Sequence, residues 1–129
     1  MAGRHTHIMK RLEEEGYNAW IGVDLDGTLA EYYGWVSIEY IGKPIPAMVN
    51  RVKRWLNDGK NVKVFTARVH LPESIPYIEK WLKDVGLGGL EITNVKDFQM
   101  IELWDDRAVR VSVNTGTPCC SKHLVEVIK

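Results

Sequence analysis

The sequence predicts an α/β fold in which a parallel sheet of about five strands is covered by helices. Short apolar runs rich in β-branched residues alternate with amphipathic segments, and this alternation is typical of parallel sheets. The first apolar run, 19–23, is almost continuous, as expected of a strand that is covered on both faces. We therefore expect one Rossmann-like domain of three layers that spans residues 1–129.

The composition and charge of the chain argue against several classes of protein. A chain of 129 residues suits one domain with its own core. Seventeen basic and 17 acidic residues leave no formal net charge, which argues against nucleic-acid binding driven by bulk charge. No apolar run approaches the roughly 20 residues that cross a membrane. The adjacent Cys119 and Cys120 suit neither a disulfide nor a metal site, so a reducing, cytoplasmic location is expected.

The first half of the chain contains two less regular segments. Residues 1–17 are polar and charged, and they predict an N-terminal extension that is flexible or forms a short helix. Residues 31–43 alternate in polarity around Gly34, which predicts a short β-hairpin. Because this hairpin directly follows the first strand, it would overhang the sheet edge as a flap. The hairpin carries the aromatic residues Tyr32, Tyr33 and Trp35. These side chains either screen substrates or pack against the rest of the domain.

Three helices and four more strands are predicted after the flap. The first two helices have apolar residues spaced three or four apart, and Gly59 and Gly86 follow them where a C-cap is expected. Ser74 is the expected N-cap of the second helix, with Pro76 in its first turn. The helices are expected at 47–58, 74–84 and 118–128, and the strands at 61–65, 90–93, 100–104 and 108–113.

Polar residues follow several of these strands at the point where each strand ends. They are Asp24 and Asp26 after the first strand, Thr66 after the second, Lys96 in the loop after the third, and Asp105 and Asp106 after the fourth. Right-handed crossovers bring the carboxyl ends of parallel strands to one edge, where open α/β sheets bind ligands. Two neighbouring acids repel each other unless a cation shares the site. The turn at Gly27 and Thr28 is expected to point N–H groups at an anion.

In their order, these residues resemble the motifs of the haloacid dehalogenase (HAD) superfamily of phosphohydrolases. The four motifs are Asp24-Leu25-Asp26-Gly27-Thr28, Thr66 at the end of an apolar strand, Lys96, and the pair Asp105-Asp106. The resemblance extends over 20–113. Neither interval between the motifs has room for the cap domain of larger relatives, so the chain resembles a small capless member.

The resemblance implies a Mg²⁺-dependent phosphatase. Asp24 would be the nucleophile that forms an aspartyl-phosphate, and Asp26 the general acid that protonates the leaving oxygen and then activates water. An acid at position 26 favours phosphoryl transfer and argues against dehalogenation. Thr66 and Lys96 complete the implied catalytic set.

The resemblance also implies how substrate and metal would be held. Mg²⁺ prefers oxygen ligands, and the implied metal residues are Asp24, Asp26 through its backbone carbonyl, Asp105, and Asp106 through water. The implied substrate-binding residues are Leu25 and Ala67 through their N–H groups, Thr66, Lys96 and Arg68. Arg68 and Arg107 are candidates for substrate contact, although each could equally pair with a nearby acid.

Two other interpretations stay open. A response-regulator receiver domain also gathers acids, a hydroxyl group and a lysine around Mg²⁺, but its adjacent acids come first in the chain. Here the adjacent pair comes late, at Asp105 and Asp106. A catalytically inactive HAD-like binding module would keep the same residues without turnover.

The expected partner is a phosphorylated substrate, either a small molecule or an exposed phosphate on a macromolecule. A nucleic acid would fit an uncapped pocket, but the neutral charge gives it no support. No membrane partner is expected, and the sequence leaves monomer and homo-oligomer open.

Overall fold

The computed structural model describes residues 19–119, and this part of the chain forms a parallel four-stranded sheet with two α-helices. The strands are β1 (Trp20–Val23), β2 (Asn61–Phe65), β3 (Glu91–Thr93) and β4 (Met100–Trp104). The helices are α1 (Pro46–Asn57) and α2 (Ile75–Asp84), and two 3₁₀ turns at Ala67–His70 and Pro72–Ser74 precede α2. The predicted α/β class is confirmed, and the bounds of these strands and helices lie within one residue of those expected.

β1 lies inside the sheet, whose strand order is β3-β2-β1-β4. It pairs in parallel with β2 on one side and with β4 on the other. All four of its residues are buried, which explains why its sequence is continuously apolar. The carboxyl end of β1 is therefore flanked by the ends of two other strands, and Asp24 follows it directly.

The core lies between one face of the sheet and both helices. Each helix connects neighbouring parallel strands in the same direction across the sheet, so right-handed crossovers place both on the same face. One continuous cluster joins the two helices to β1 and β2, and its most buried members include Val23, Val52, Val64, Ile78 and Leu82. On the other face, the Lys63 ammonium lies 4.5 Å from the centre of the Trp20 ring.

The third layer of the expected sandwich is not formed within residues 19–119. The N-terminal extension at 1–17 lies outside the described residues, and so does most of the helix expected at 118–128. Where that helix was expected to begin, Pro118 instead forms an isolated antiparallel bridge with Val111. No helix in the described part of the chain combines the length and apolar character needed to cross a membrane.

The predicted strand at 108–113 is wrong. Its residues alternate in polarity, but they are exposed and form no ladder with the sheet, which ends at β4. Ser112 instead donates its N–H to the carbonyl of Thr117 at 2.8 Å, closing a local turn. Alternation predicts a strand only where a neighbouring backbone is available to pair with it, so the described sheet has four strands instead of about five.

The predicted β-hairpin at 31–43 is also wrong, although its ends do meet. Ala30 and Pro44 form an antiparallel bridge, and the Glu31 N–H donates to the carbonyl of Lys43 at 2.8 Å. Between these ends the chain contains no strand. We call this segment, 31–43, the aromatic loop. Two of its carbonyls, those of Ile38 and Tyr40, accept hydrogen bonds from an arginine side chain that is described below.

Ser74 occupies the N-cap position of α2, as predicted, but its side chain does not act as the cap. Its hydroxyl donates to the backbone carbonyl of Arg68 at 2.7 Å, and its side chain makes no capping bond to the helix. Pro76 does lie in the first turn of α2, where its missing N–H costs no helical hydrogen bond. The Ser74 side chain therefore stabilises the 3₁₀ turn that carries Arg68.

Candidate active site

A cavity of about 600 Å³ opens at the edge of the sheet where β1, β2 and β4 end. Three of the four predicted carboxylates line it, and these are Asp24, Asp26 and Asp105. Thr66 and Ala67 line it from the end of β2. Residues that are far apart in sequence thus meet at one edge, as the rule for parallel sheets predicts.

Asp24, Asp105 and Asp106 form a tight carboxylate cluster, in which one oxygen from each lies within 4.8 Å of the others. Burial raises the pKa of Asp24 to about 8, and the neighbouring Asp106 and Asp105 carboxyls push it in the same direction. No basic side chain in 19–119 forms an ion pair with any of the three. Uncompensated oxygen donors of this kind fit a hard divalent cation such as Mg²⁺.

Backbone hydrogen bonds position this cluster at the end of β1. The Asp24 N–H donates to the carbonyl of Trp104 at 2.9 Å, which ties the end of β1 to the end of β4. One carboxylate oxygen of Asp24, Oδ1, accepts the Leu25 N–H at 2.8 Å. Asp106 Oδ1 accepts the Thr28 hydroxyl at 3.2 Å. The strand pairing of β1 with β4 therefore brings the first and fourth motifs together.

The turn after Asp26 does not present its N–H groups to an anion as expected. The Gly27 N–H donates to the carbonyl of Ala30 at 2.8 Å, and the Thr28 N–H donates to the carbonyl of Leu25 at 3.2 Å. The Leu25 N–H is bonded to Asp24, as described above. These N–H groups are not available to an anion, because they already form hydrogen bonds within the turn.

Gly27 is required at its position for two reasons. Its φ is +89°, and a Cβ there would lie 2.5 Å from Asp106 Oδ2. Gly27→Ala is therefore expected to displace the Asp106 carboxylate and to weaken Mg²⁺ binding, measured by calorimetric titration. We expect an accompanying loss of about 1–2 kcal/mol in the free energy of unfolding from backbone strain.

Gly89→Ala is the matched control for this substitution, because Gly89 also has a φ of +89° but has nothing within 4 Å of its Cβ position. Both variants should lose similar stability, whereas Mg²⁺ affinity should fall in Gly27→Ala alone. Equal Mg²⁺ affinity in the two variants would show that Asp106 takes no part in metal binding.

Asp26 is held by a buried arginine. Arg68 donates from Nε to Asp26 Oδ2 at 2.7 Å and from Nη2 to Asp26 Oδ1 at 3.0 Å, so both carboxylate oxygens are engaged. The Arg68 side chain is 5% exposed. Its guanidinium also donates to the carbonyls of Tyr40 at 2.9 Å and Ile38 at 3.4 Å. This second set of bonds ties the aromatic loop to the end of β2.

The position of Arg68 follows from the end of β2. Thr66 is buried, and its hydroxyl oxygen accepts the Arg68 N–H at 3.2 Å. The hydroxyl proton of Thr66 stays available to donate to a ligand in the cavity. Arg68 was expected either to contact substrate or to pair with a nearby acid. In the structure its guanidinium pairs with an acid, Asp26.

The structure does not bring Lys96 into the cavity. Lys96 is exposed, and the residue of its loop that lines the cavity is Asn94, the first residue after β3. Asn94 could have been predicted as a site residue, because it directly follows the carboxyl end of a strand. Arg107 is exposed and lines the cavity, and its contact with substrate stays a prediction. Sequence reasoning missed three further lining residues, Phe65, His70 and Leu71, because no chemical pattern marks them.

Comparison with known proteins shows the fold alone. No family model and no curated protein matches the chain. Among solved structures, the chain is similar to a conserved protein from Bacteroides thetaiotaomicron with a TM-score of 0.56 and 20% sequence identity. The likeness covers 85% of this chain and 91% of that one.

Proposed function

We propose that the protein is a Mg²⁺-dependent phosphatase of the HAD type, which hydrolyses a phosphate monoester through an aspartyl-phosphate on Asp24. One observation carries the proposal: three carboxylates from the ends of two adjacent strands converge within 4.8 Å beside a cavity. A phosphate monoester is an anion, so a carboxylate attacks it only where positive charge offsets the repulsion. A divalent cation on this cluster would supply that charge.

Asp24, Asp105 and Asp106 would hold the metal, with the backbone carbonyl of Asp26 as a further donor. Bound Mg²⁺ would offset the charge of the phosphoryl oxygens and orient the substrate. The Leu25 N–H holds Oδ1 of Asp24, which leaves Oδ2 as the attacking atom. The hydroxyl of Thr66 would donate to a phosphoryl oxygen.

In the first half of the proposed reaction, Asp24 Oδ2 bonds to phosphorus and the bond from phosphorus to the ester oxygen breaks. Asp26 gives its proton to that leaving oxygen. In the second half, Asp26 takes a proton from water, whose oxygen attacks phosphorus and frees Asp24 and inorganic phosphate. Both oxygens of Asp26 accept bonds from Arg68, so Arg68 fixes the orientation of the carboxyl group that would transfer the proton.

The proposed substrate is a phosphomonoester, and a cavity of about 600 Å³ suits a small molecule better than a polymer. An exposed phosphate on a macromolecule is the broader alternative. We propose a cytoplasmic location, in keeping with the adjacent cysteines of the sequence.

Phosphate release from p-nitrophenyl phosphate tests the proposal. We expect turnover with Mg²⁺, loss of turnover in EDTA, and recovery when Mg²⁺ is added in excess. Full turnover in EDTA would contradict the metal role of Asp105. A long-lived acyl phosphate without turnover would favour a receiver domain, and neither product would favour an inactive binding module.

A further inference from the structure

We propose that the cavity selects phosphate monoesters whose leaving group carries a planar aromatic ring, as in nucleoside monophosphates, and that Trp35 and Tyr32 bind this ring. This inference rests on the proposed phosphatase activity and names its class of substrate. It follows from the exposure of the aromatic side chains, from the contact that fixes Trp35, and from the position of that contact beside Asp26.

Aromatic side chains line the cavity on the side of the aromatic loop. Trp35 and Tyr32 both line it, and Phe65 lines it from the end of β2. Trp35 is 52% exposed and Tyr32 is 44% exposed. By contrast, Trp20, which packs inside the protein, is 1% exposed. If Trp35 and Tyr32 served only to pack the loop onto the body, we would expect them to be largely buried, so their surface is available to a ligand.

The Trp35 ring is fixed although it is exposed. The guanidinium of Arg68 lies 4.9 Å from the centre of the Trp35 ring, so a buried cation holds the indole on one side. The same guanidinium is anchored by Asp26 and by the carbonyls of Ile38 and Tyr40. A ring that is held on one side and half-exposed is a suitable platform for stacking, because a ligand ring can stack on it without first ordering it.

The platform is also in the right place for a leaving group. Arg68 contacts both Trp35 and Asp26, and Asp26 is the residue that would protonate the leaving oxygen. A second cavity of about 200 Å³ shares Asp26, Tyr32, Trp35 and Arg68 with the first. The two aromatic side chains therefore line the same cavities as Asp26, the proposed proton donor to the leaving group.

A matched pair of esters isolates the contribution of the ring. Adenosine 5′-monophosphate and ribose 5-phosphate share the same leaving oxygen and differ in the base. We expect the nucleotide to bind at least about tenfold more tightly, as one stacked base allows. Calorimetric titration with Mg²⁺ in an Asp24→Asn background measures both affinities without turnover.

Substitution of Trp35 should reduce this preference. Adding Trp35→Ala to the same background should bring the two affinities within about threefold, while Trp35→Phe should keep most of the difference because it keeps a ring. Tyr32→Ala should also reduce the preference for the nucleotide, and this substitution does not remove the contact between Trp35 and Arg68. Phe98→Ala is the control, since Phe98 is exposed and lines no part of the cavity. Thermal unfolding of each variant confirms that it is folded.

The outcomes separate this inference from the proposed function. Equal affinity for the two esters, no binding of either, or a preference that survives both Trp35→Ala and Tyr32→Ala would overturn the aromatic subsite. Failure of the unsubstituted protein to hydrolyse either ester, with the nucleotide preference intact, would overturn the phosphatase and leave the subsite standing.

Discussion

Asp24→Asn is expected to lower the rate of p-nitrophenyl phosphate hydrolysis by about 10³-fold or more, because an amide oxygen is a poor nucleophile for phosphorus. The substitution keeps the size of the side chain, and the Asn oxygen can still accept the Leu25 N–H that orients Asp24. Steady-state kinetics with saturating Mg²⁺ measures the effect. Asp84→Asn is the matched control, since Asp84 is exposed on α2 and pairs with Lys80. Residual turnover of the Asp24→Asn variant near the wild-type rate would exclude an aspartyl-phosphate on Asp24.

The same substitution should stabilise the metal-free protein, which distinguishes a functional effect from misfolding. The pKa of Asp24 is raised to about 8 by burial and by its acidic neighbours. The folded protein therefore binds the Asp24 proton more tightly than the unfolded chain does. The contribution of Asp24 to stability is complete below its ordinary pKa of about 4 and is lost as the pH rises toward 8. Asn at this position does not titrate, so its contribution stays constant.

Urea unfolding in EDTA at pH 5 and pH 8 tests whether Asp24→Asn is more stable than the wild type. The free energy of unfolding of Asp24→Asn should exceed that of the wild type at pH 8 by roughly 1–3 kcal/mol, a figure kept small because the carboxylate is partly exposed and water screens it. The difference should be smaller at pH 5. Mg²⁺ at pH 8 should stabilise the wild type more than the variant. A variant that is less stable than the wild type at pH 8 in EDTA would contradict this account.

Arg68→Ala is expected to reduce the free energy of unfolding by about 3 kcal/mol. The reason is that Asp26 would be left partly buried without its partner, and the carbonyls of Ile38 and Tyr40 would lose a donor. Arg68→Lys keeps the charge but cannot form the two-pronged contact with Asp26, so we expect an intermediate loss. Denaturant unfolding at neutral pH measures both, and limited proteolysis should show faster cleavage within the aromatic loop.

Lys80→Ala provides the comparison for Arg68→Ala. It removes an exposed ion pair with Asp84, in which the two side chains are 74% and 59% exposed, and it should change stability by no more than about 0.5 kcal/mol. If Arg68 were a substrate contact without a structural role, its removal would raise KM and leave the unfolding midpoint near that of Lys80→Ala. Equal midpoints for the two variants would therefore refute the anchoring role.

Much of the site could be predicted because it depends on topology more than on detailed packing. Asp24 and Asp105 follow adjacent parallel strands, and the carboxyl ends of such strands meet wherever the helices between them lie. The bounds of β2 and β4 coincide with the prediction, because their apolar runs end at clear polar residues. Lys96 is different, since it lies three residues beyond β3 in a loop whose path no local pattern specifies.

The sequence by itself determined the α/β class and the collection of acids at one edge, because hydrophobic periodicity and strand handedness are local properties of the chain. Tertiary structure alone decided that Arg68 binds Asp26, 42 positions away, and that the aromatic loop is irregular. A buried guanidinium takes whatever acceptors the fold brings to it, so the identity of those acceptors follows from packing, which no stretch of sequence encodes on its own.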